Sequence, residues 1–345
     1  MIKCKYFLIL IIILISLNSF SQNNYRSTIN RAEFYIINQK YDSASYYYKK
    51  SFDISKNVLG KDYYNAAVCA SLQNQFTEVN EYLLLLIKRG FDITEILKKK
   101  SFDGFKKSIY CKNLFNIIKS DSSLINPNTF LLKNQLDSMF ADDRYFRIRN
   151  PRDYMNHEYR DIIKLIDSIN AIKLISIMNK YGFPNEFYTG YYNNSLSVNL
   201  PTNIIVIHQQ NGSPSRVVDF SKYLLDAIKD EKTLPNMLVS LYRLTIGQDI
   251  IIDSIFGINN IFKITRPNGS FIYAFKKYSK EKEESINKKR KEFNLDNIES
   301  FRMLELYNLT NNMDFVFDLG NNYVEEIPEE IATQIFKKDY LNYVK

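Results

Sequence analysis

His208 is the residue of this chain best suited to chemistry. It follows the apolar run Asn203-Ile204-Ile205-Val206-Ile207 and precedes Gln209 and Gln210, so an imidazole stands where an apolar element ends beside two amides. Histidine titrates near neutrality and serves as general base or metal ligand. Three other polar residues are its candidate partners if folding gathers them: Asp167, Asn170 and Arg243. With Asp167 or Arg243 assisting, the chemistry would be hydrolytic. The structural alternative is a histidine capping a helix or strand and bonded to Asp167, with Asp167 and Asn170 a satisfied polar edge. Only two histidines are present, His157 and His208, so a zinc site would need carboxylates that folding alone can supply. No glycine-rich phosphate loop, His-Glu-x-x-His, Cys-x-x-Cys or Gly-x-Ser-x-Gly occurs. No metal and no cofactor is therefore expected.

These residues must be positioned by a fold that reads as mainly α. Residues 157–181 carry Ile162, Leu165, Ile166, Ile169, Ile172, Ile175 and Met178 at spacings of three and four, which predicts a long helix. Gly182 ends it and Pro184 forbids continuation. A helix is also expected over about 129–140. Arg266-Pro267-Asn268-Gly269, between β-prone runs 260–265 and 270–275, predicts a β-hairpin. Residues 301–309 and 328–344 read as helical, with a short strand at 315–318. Lys276 to Glu292 holds eight Lys/Arg and four Glu. That is expected to be a solvated helix face, with a surface-association role as a weaker reading.

The front of the chain repeats itself. Ala32, Tyr35, Tyr41, Ala44, Tyr48 and Ser51 recur 35 positions later as Ala67, Ala70, Phe76, Val79, Leu83 and Leu86. Small residues let paired helices approach, Tyr41 and Phe76 wedge at the turn, and Gly60 and Gly90 are placed as left-handed caps after each second helix. The spacing, with the phrase Tyr41-Asp42-Ser43-Ala44-Ser45-Tyr46-Tyr47-Tyr48, resembles the tetratricopeptide repeat, although its usual Trp and Pro are missing. Phe102, Phe105, Leu114, Phe115 and Ile118 then mark capping helices. That resemblance implies a concave face for a peptide or protein partner.

Farther along, Asp167-Ser168-Ile169-Asn170, Tyr181-Gly182-Phe183-Pro184, Gly190, Ile207-His208-Gln209 and Leu241-Tyr242-Arg243 follow one another in an order that resembles a bacterial domain of unknown function, numbered 6624. Here Phe183 replaces the family's Trp and Tyr242 stands where an Asp is expected. The resemblance spans about residues 131–248 and implies no activity.

Residues 1–21 have the makeup of a cleavable signal peptide: Lys3 and Lys5, an apolar core at 6–17, then Ser19-Phe20-Ser21. The core is shorter than the roughly 20 residues a spanning helix needs, and Cys4 precedes it, against lipid attachment. The expectation is export, periplasmic or secreted, with no transmembrane helix in the mature chain. Losing Lys3 and Lys5 lowers the +8 net charge by two. What remains is too mild and too dispersed to argue for nucleic acid, though it suits an anionic surface. Cys69 and Cys111 are left, in a compartment that permits their pairing. The organisation read from sequence is thus a leader (1–21), a repeat module (22–120), a turn-rich linker (121–128) and a mainly helical domain with a hairpin (129–345). Partner binding by the repeat face is the leading function, and a hydrolase built around His208 the alternative.

Overall fold

The computed structural model describes residues 24–121, 123–149, 157–196, 200–246, 257, 261–311, 314–320, 324–336 and 340–343. The signal-peptide expectation falls outside them. The architecture is mainly α: fifteen α-helices and one four-stranded sheet among the described residues.

The 35-residue offset is physical. Helices α1 (Tyr25–Ile37) and α2 (Tyr41–Ile54) form one antiparallel hairpin, and α3 (Gly60–Leu72) and α4 (Phe76–Ile87) form the next. Each first helix ends in the same left-handed cap. Gln39 and Asn74 have φ 56° and 57°. The amides of Lys40 and Gln75 each return 2.9 Å to the carbonyls of Tyr35 and Ala70, and those of Gln39 and Asn74 to Ile36 and Ser71. This double bond pattern satisfies carbonyls a helix end leaves open. Ala32 and Ala67 are fully buried, as are Ala44, Tyr48, Val79 and Leu83. Glycine does not do the capping expected of it at Gly60. That residue opens α3, its amide bonded 2.6 Å to Glu186, and a Cβ there would lie 2.1 Å from the Tyr191 hydroxyl. Glycine stands at this position because a ring packs on it. Gly90, with φ 78°, does turn left-handed. Helices α5 (Asp103–Lys106) and α6 (Ile109–Ser120) follow, and Phe102, Phe105 and Leu114 cover the end of the repeat core.

The second part begins with a 3₁₀ turn at Pro127–Phe130, and its first helix, α7 (Lys133–Arg149), starts and ends later than the sequence suggests. Helix α8 (His157–Tyr181) has the expected bounds, and Gly182 ends it at φ 75°. Ile175 and Met178 face the core as expected, but the rest of the helix is turned the other way. Leu165 and Ile172 are about 60% exposed, while Asp167 and Asn170 are buried beside Ala171 and Leu174. Short α9 (Glu186–Thr189) leads to α10 (Leu200–Ile207), α11 (Ser221–Lys229) and α12 (Pro235–Ile246), which pack with α7 and α8 around Leu174, Val206, Phe220, Leu224 and Leu241.

The hairpin is β1 (Ile261–Thr265) and β2 (Phe271–Lys276), closed at Thr265↔Phe271 with Gly269 at φ 79°. Helices α13 (Lys280–Glu292) and α14 (Ile298–Thr310) cross back, and β3 (Val324–Pro328) pairs parallel to β1. Such a return needs a long connection. The stretch read as one helix to residue 344 is instead α15 (Glu329–Phe336) and then β4 (Tyr340–Tyr343), antiparallel to β2. The sheet order is β3-β1-β2-β4. The basic run is mostly a solvated helix, but Arg290 is fully buried in it, over the Phe301 ring.

The two parts share a core. Tyr191, Leu196, Leu304, Tyr307, Phe315 and Phe317 belong to the same apolar cluster as the repeat helices. Helix α14 therefore faces the repeat with Leu304 and Tyr307 and the second part with Ile298 and Phe301. Cys69 and Cys111 are free, buried thiols. No helix among the described residues is long and apolar enough to cross a membrane.

Candidate functional site

His208 is the first residue after α10, its amide still bonded 3.0 Å to Ile204. The next residue fixes its direction. Gln209 is fully buried; its amide nitrogen donates to the Ser215 carbonyl at 3.0 Å and its oxygen accepts from the Val217 amide at 2.7 Å. A side-chain amide that supplies both donor and acceptor to a passing stretch of backbone locks the 211–218 loop against the end of α10.

Two carboxylates meet His208. Asp143, on α7, has Oδ1 at 2.8 Å from the imidazole Nδ1, and Asp167, on α8, has Oδ1 at 3.4 Å. Both acids are nearly fully buried, whereas the His208 side chain is 21% exposed. Arg147, one turn after Asp143, bonds through Nη1 to Asp143 and through Nη2 to both oxygens of Asp167, at 2.6 and 2.8 Å. One guanidinium nitrogen shared between both oxygens holds the Asp167 carboxylate, while the other nitrogen holds Asp143. Although the Asp143 oxygen is so near, Nδ1 is buried and forms no hydrogen bond. At that distance the failure is one of direction: the carboxylate lies off the ring N–H axis. The donors of Asp143, Asp167 and His208 all fall within 4.8 Å of one another.

Folding thus joins Asp167 to His208, as the sequence suggested, and adds Asp143 and Arg147, which the sequence reading missed. Their one signal was the (i, i+4) acid–base spacing within a charged stretch. Asn170 acts away from the imidazole, where its amide donates 3.0 Å to the Met139 carbonyl and ties α8 to α7. Arg243 is half-buried on α12 and enters none of the contacts described for the cluster; the guanidinium that grips both carboxylates is Arg147's.

The inner face of the repeat carries a second constellation. Residues 314–319 run past α3 as chain outside any helix or strand. The fully buried Asn65 donates from Nδ2 to the Val316 carbonyl at 2.7 Å and accepts from the Val316 amide at 2.9 Å. The Tyr64 hydroxyl bonds to the Asp314 carbonyl, and the Ser101 amide to the Asp314 carboxylate at 3.0 Å. Phe315 stacks on Tyr41 with centroids 5.9 Å apart. Asp318 caps α12, accepting from the amides of Asn236 (2.7 Å) and Met237 (3.1 Å). The strand expected here is irregular chain, and Val316 pairs with a side chain in place of a neighbouring strand.

Buried charge fastens the repeat internally and to the second part. Lys61 lies 2.5 Å from Glu33 and 2.7 Å from Asp62, and the Tyr25 hydroxyl bonds to Asp62 while accepting from the Leu59 amide. Burial pushes the Glu33 carboxyl up to about 7 against the pull of Lys61, and Asp296 up to about 6. The two carboxylates hold Lys61 firmly protonated in spite of its burial. Arg26 donates to the carbonyls of Ile228 (2.6 Å) and Phe293 (3.1 Å), and Arg89 pairs with Glu186 at 2.8 Å.

No family model, no curated protein and no solved structure matches this chain.

Proposed function

We propose that this is an exported, non-catalytic docking protein whose tetratricopeptide-like front recognises extended peptide segments of a partner protein. One observation carries the reading: Asn65 engages both the N–H and the C=O of Val316. A side chain that reads a residue's main chain in this way recognises conformation, and any extended strand supplies the same pair of groups. The flanking contacts define the chemistry that suits the face, an acidic residue followed by aromatic and aliphatic ones. Residues 314–318, Asp-Phe-Val-Phe-Asp, are that ligand presented in cis.

The test uses the full mature chain with Val316→Pro, which removes the amide that Asn65 accepts and loosens the internal segment. A fluorescent peptide carrying the native 314–318 sequence should then bind, and Asn65→Ala in the same background should abolish binding. Failure of the peptide to bind Val316→Pro protein, or equal binding after Asn65→Ala, refutes the reading. The meeting of Asp167 and His208 favours a second, hydrolytic reading. It requires that His208→Gln remove any ester- or phosphate-cleaving activity found in the wild-type protein.

A further inference from the structure

We infer that Asp143, Asp167 and His208 form a site for a divalent first-row transition ion, Zn²⁺ or Mn²⁺, at the junction of α7, α8 and α10. The donor set is two carboxylate oxygens and one imidazole nitrogen, which suits these ions. The spacing is that of ligands around a common centre. Ligands at about 2.1 Å stand roughly 3.0 Å apart when octahedral and roughly 3.4 Å apart when tetrahedral. The imidazole nitrogen lies 2.8 and 3.4 Å from its two carboxylate oxygens.

Direction adds an independent argument. A nitrogen and an oxygen 2.8 Å apart that bond to each other should be aligned, yet Nδ1 is buried without a hydrogen bond. Two ligand atoms around a third body are expected to be close and misaligned. Charge agrees with this. Among the contacts of the described residues, two buried carboxylates share the one guanidinium of Arg147, a donor set that favours an added cation. Arg147 does not exclude the ion, because each carboxylate oxygen has two lone pairs. Its fork would hold the carboxylates in orientation, as outer-shell partners of metal ligands do.

Wild-type mature protein, stripped with EDTA and dialysed, should bind one equivalent of Zn²⁺ or Mn²⁺ in calorimetric titration, with a rise in melting temperature. Co²⁺ alone should develop the visible absorption of a low-symmetry nitrogen–oxygen site. Loss of an outer-shell partner typically costs 10–100-fold in affinity, so loss of a ligand should cost at least about 100-fold. Asp143→Asn and His208→Ala should each do so with far-UV circular dichroism unchanged. Cys111→Ser, which removes the more exposed of the two thiols, should bind as wild type. Absence of stoichiometric binding by the wild-type protein overturns the inference without recourse to any variant. Wild-type affinity in His208→Ala overturns it equally. In either outcome the cluster is structural, with Arg147 holding the two carboxylates beside His208.

Discussion

Asn65→Leu is the sharpest perturbation of the repeat's inner face. The substitution keeps the branched, four-heavy-atom shape and favours the helix, but deletes both bonds to Val316, at 2.7 and 2.9 Å. Asn65 is fully buried. Each lost bond removes about 1 kcal/mol of net stabilisation, and each main-chain group left unpaired costs about 1–3 kcal/mol of desolvation. The segment can swing out to water and recover part of that penalty, so the expected loss is about 2–4 kcal/mol. With a urea slope of about 3 kcal/mol/M for a chain of this size, the midpoint should fall by about 1 M. Asn65→Asp separates the two bonds: the carboxylate still accepts from the Val316 amide but turns an acceptor toward its carbonyl, so the loss should be at least as large. The local reading is amide hydrogen exchange at Val316. Its protection should drop in both variants, while protection in α7 and α8 is retained. A midpoint shift below 0.2 M, with Val316 protection unchanged, would refute the assignment of Asn65 as the clamp that holds this segment.

Three further outcomes follow from the geometry. Burial raises the folded-state pKa of Glu33 from 4.5 to about 7, so the folded protein holds that proton more tightly than the unfolded chain does. The associated stability is fully present below pH 4.5 and lost as pH rises through 7, a change on the order of 3 kcal/mol. Melting temperature should therefore fall between pH 5 and pH 8, and Glu33→Gln should flatten that slope. Gly60→Ala forces a methyl onto the Tyr191 hydroxyl, where 2.1 Å is available. It should cost about 1–3 kcal/mol by chemical denaturation, and much less in a Tyr191→Ala background. Gln39→Gly and Asn74→Gly relieve left-handed residues at φ 56° and 57°. Each should raise stability by about 0.5–1 kcal/mol in the same assay, provided the caps are as described.

What the sequence made legible, and what it hid, divides along the range of the interactions. The repeat was visible because helix–helix packing is local: Ala32 and Ala67 are small for the same reason 35 residues apart, and both are fully buried. The hairpin was visible because Pro-Asn-Gly dictates a turn by backbone geometry alone. Its partners β3 and β4 were not, since the parallel β1–β3 ladder is a non-local pairing made across α13 and α14, with nothing in the 324–343 stretch to announce it. Helix α8 shows the limit most clearly. Ile162, Leu165, Ile169 and Ile172 keep helical spacing, but so do Ile163, Asp167, Asn170, Ala171 and Leu174, and periodicity cannot choose between two such stripes. The choice is made by partners on another helix. Arg147 bonds Asp167 through two oxygens, and the Met139 carbonyl accepts from Asn170. Once those bonds form, the polar stripe can be buried and the small Ala171 lets α7 approach. The same event delivers Asp143 to His208. The cluster and the orientation of α8 are therefore one decision, which is why His208 and Asp167 could be suspected from sequence while Asp143 and Arg147 could not.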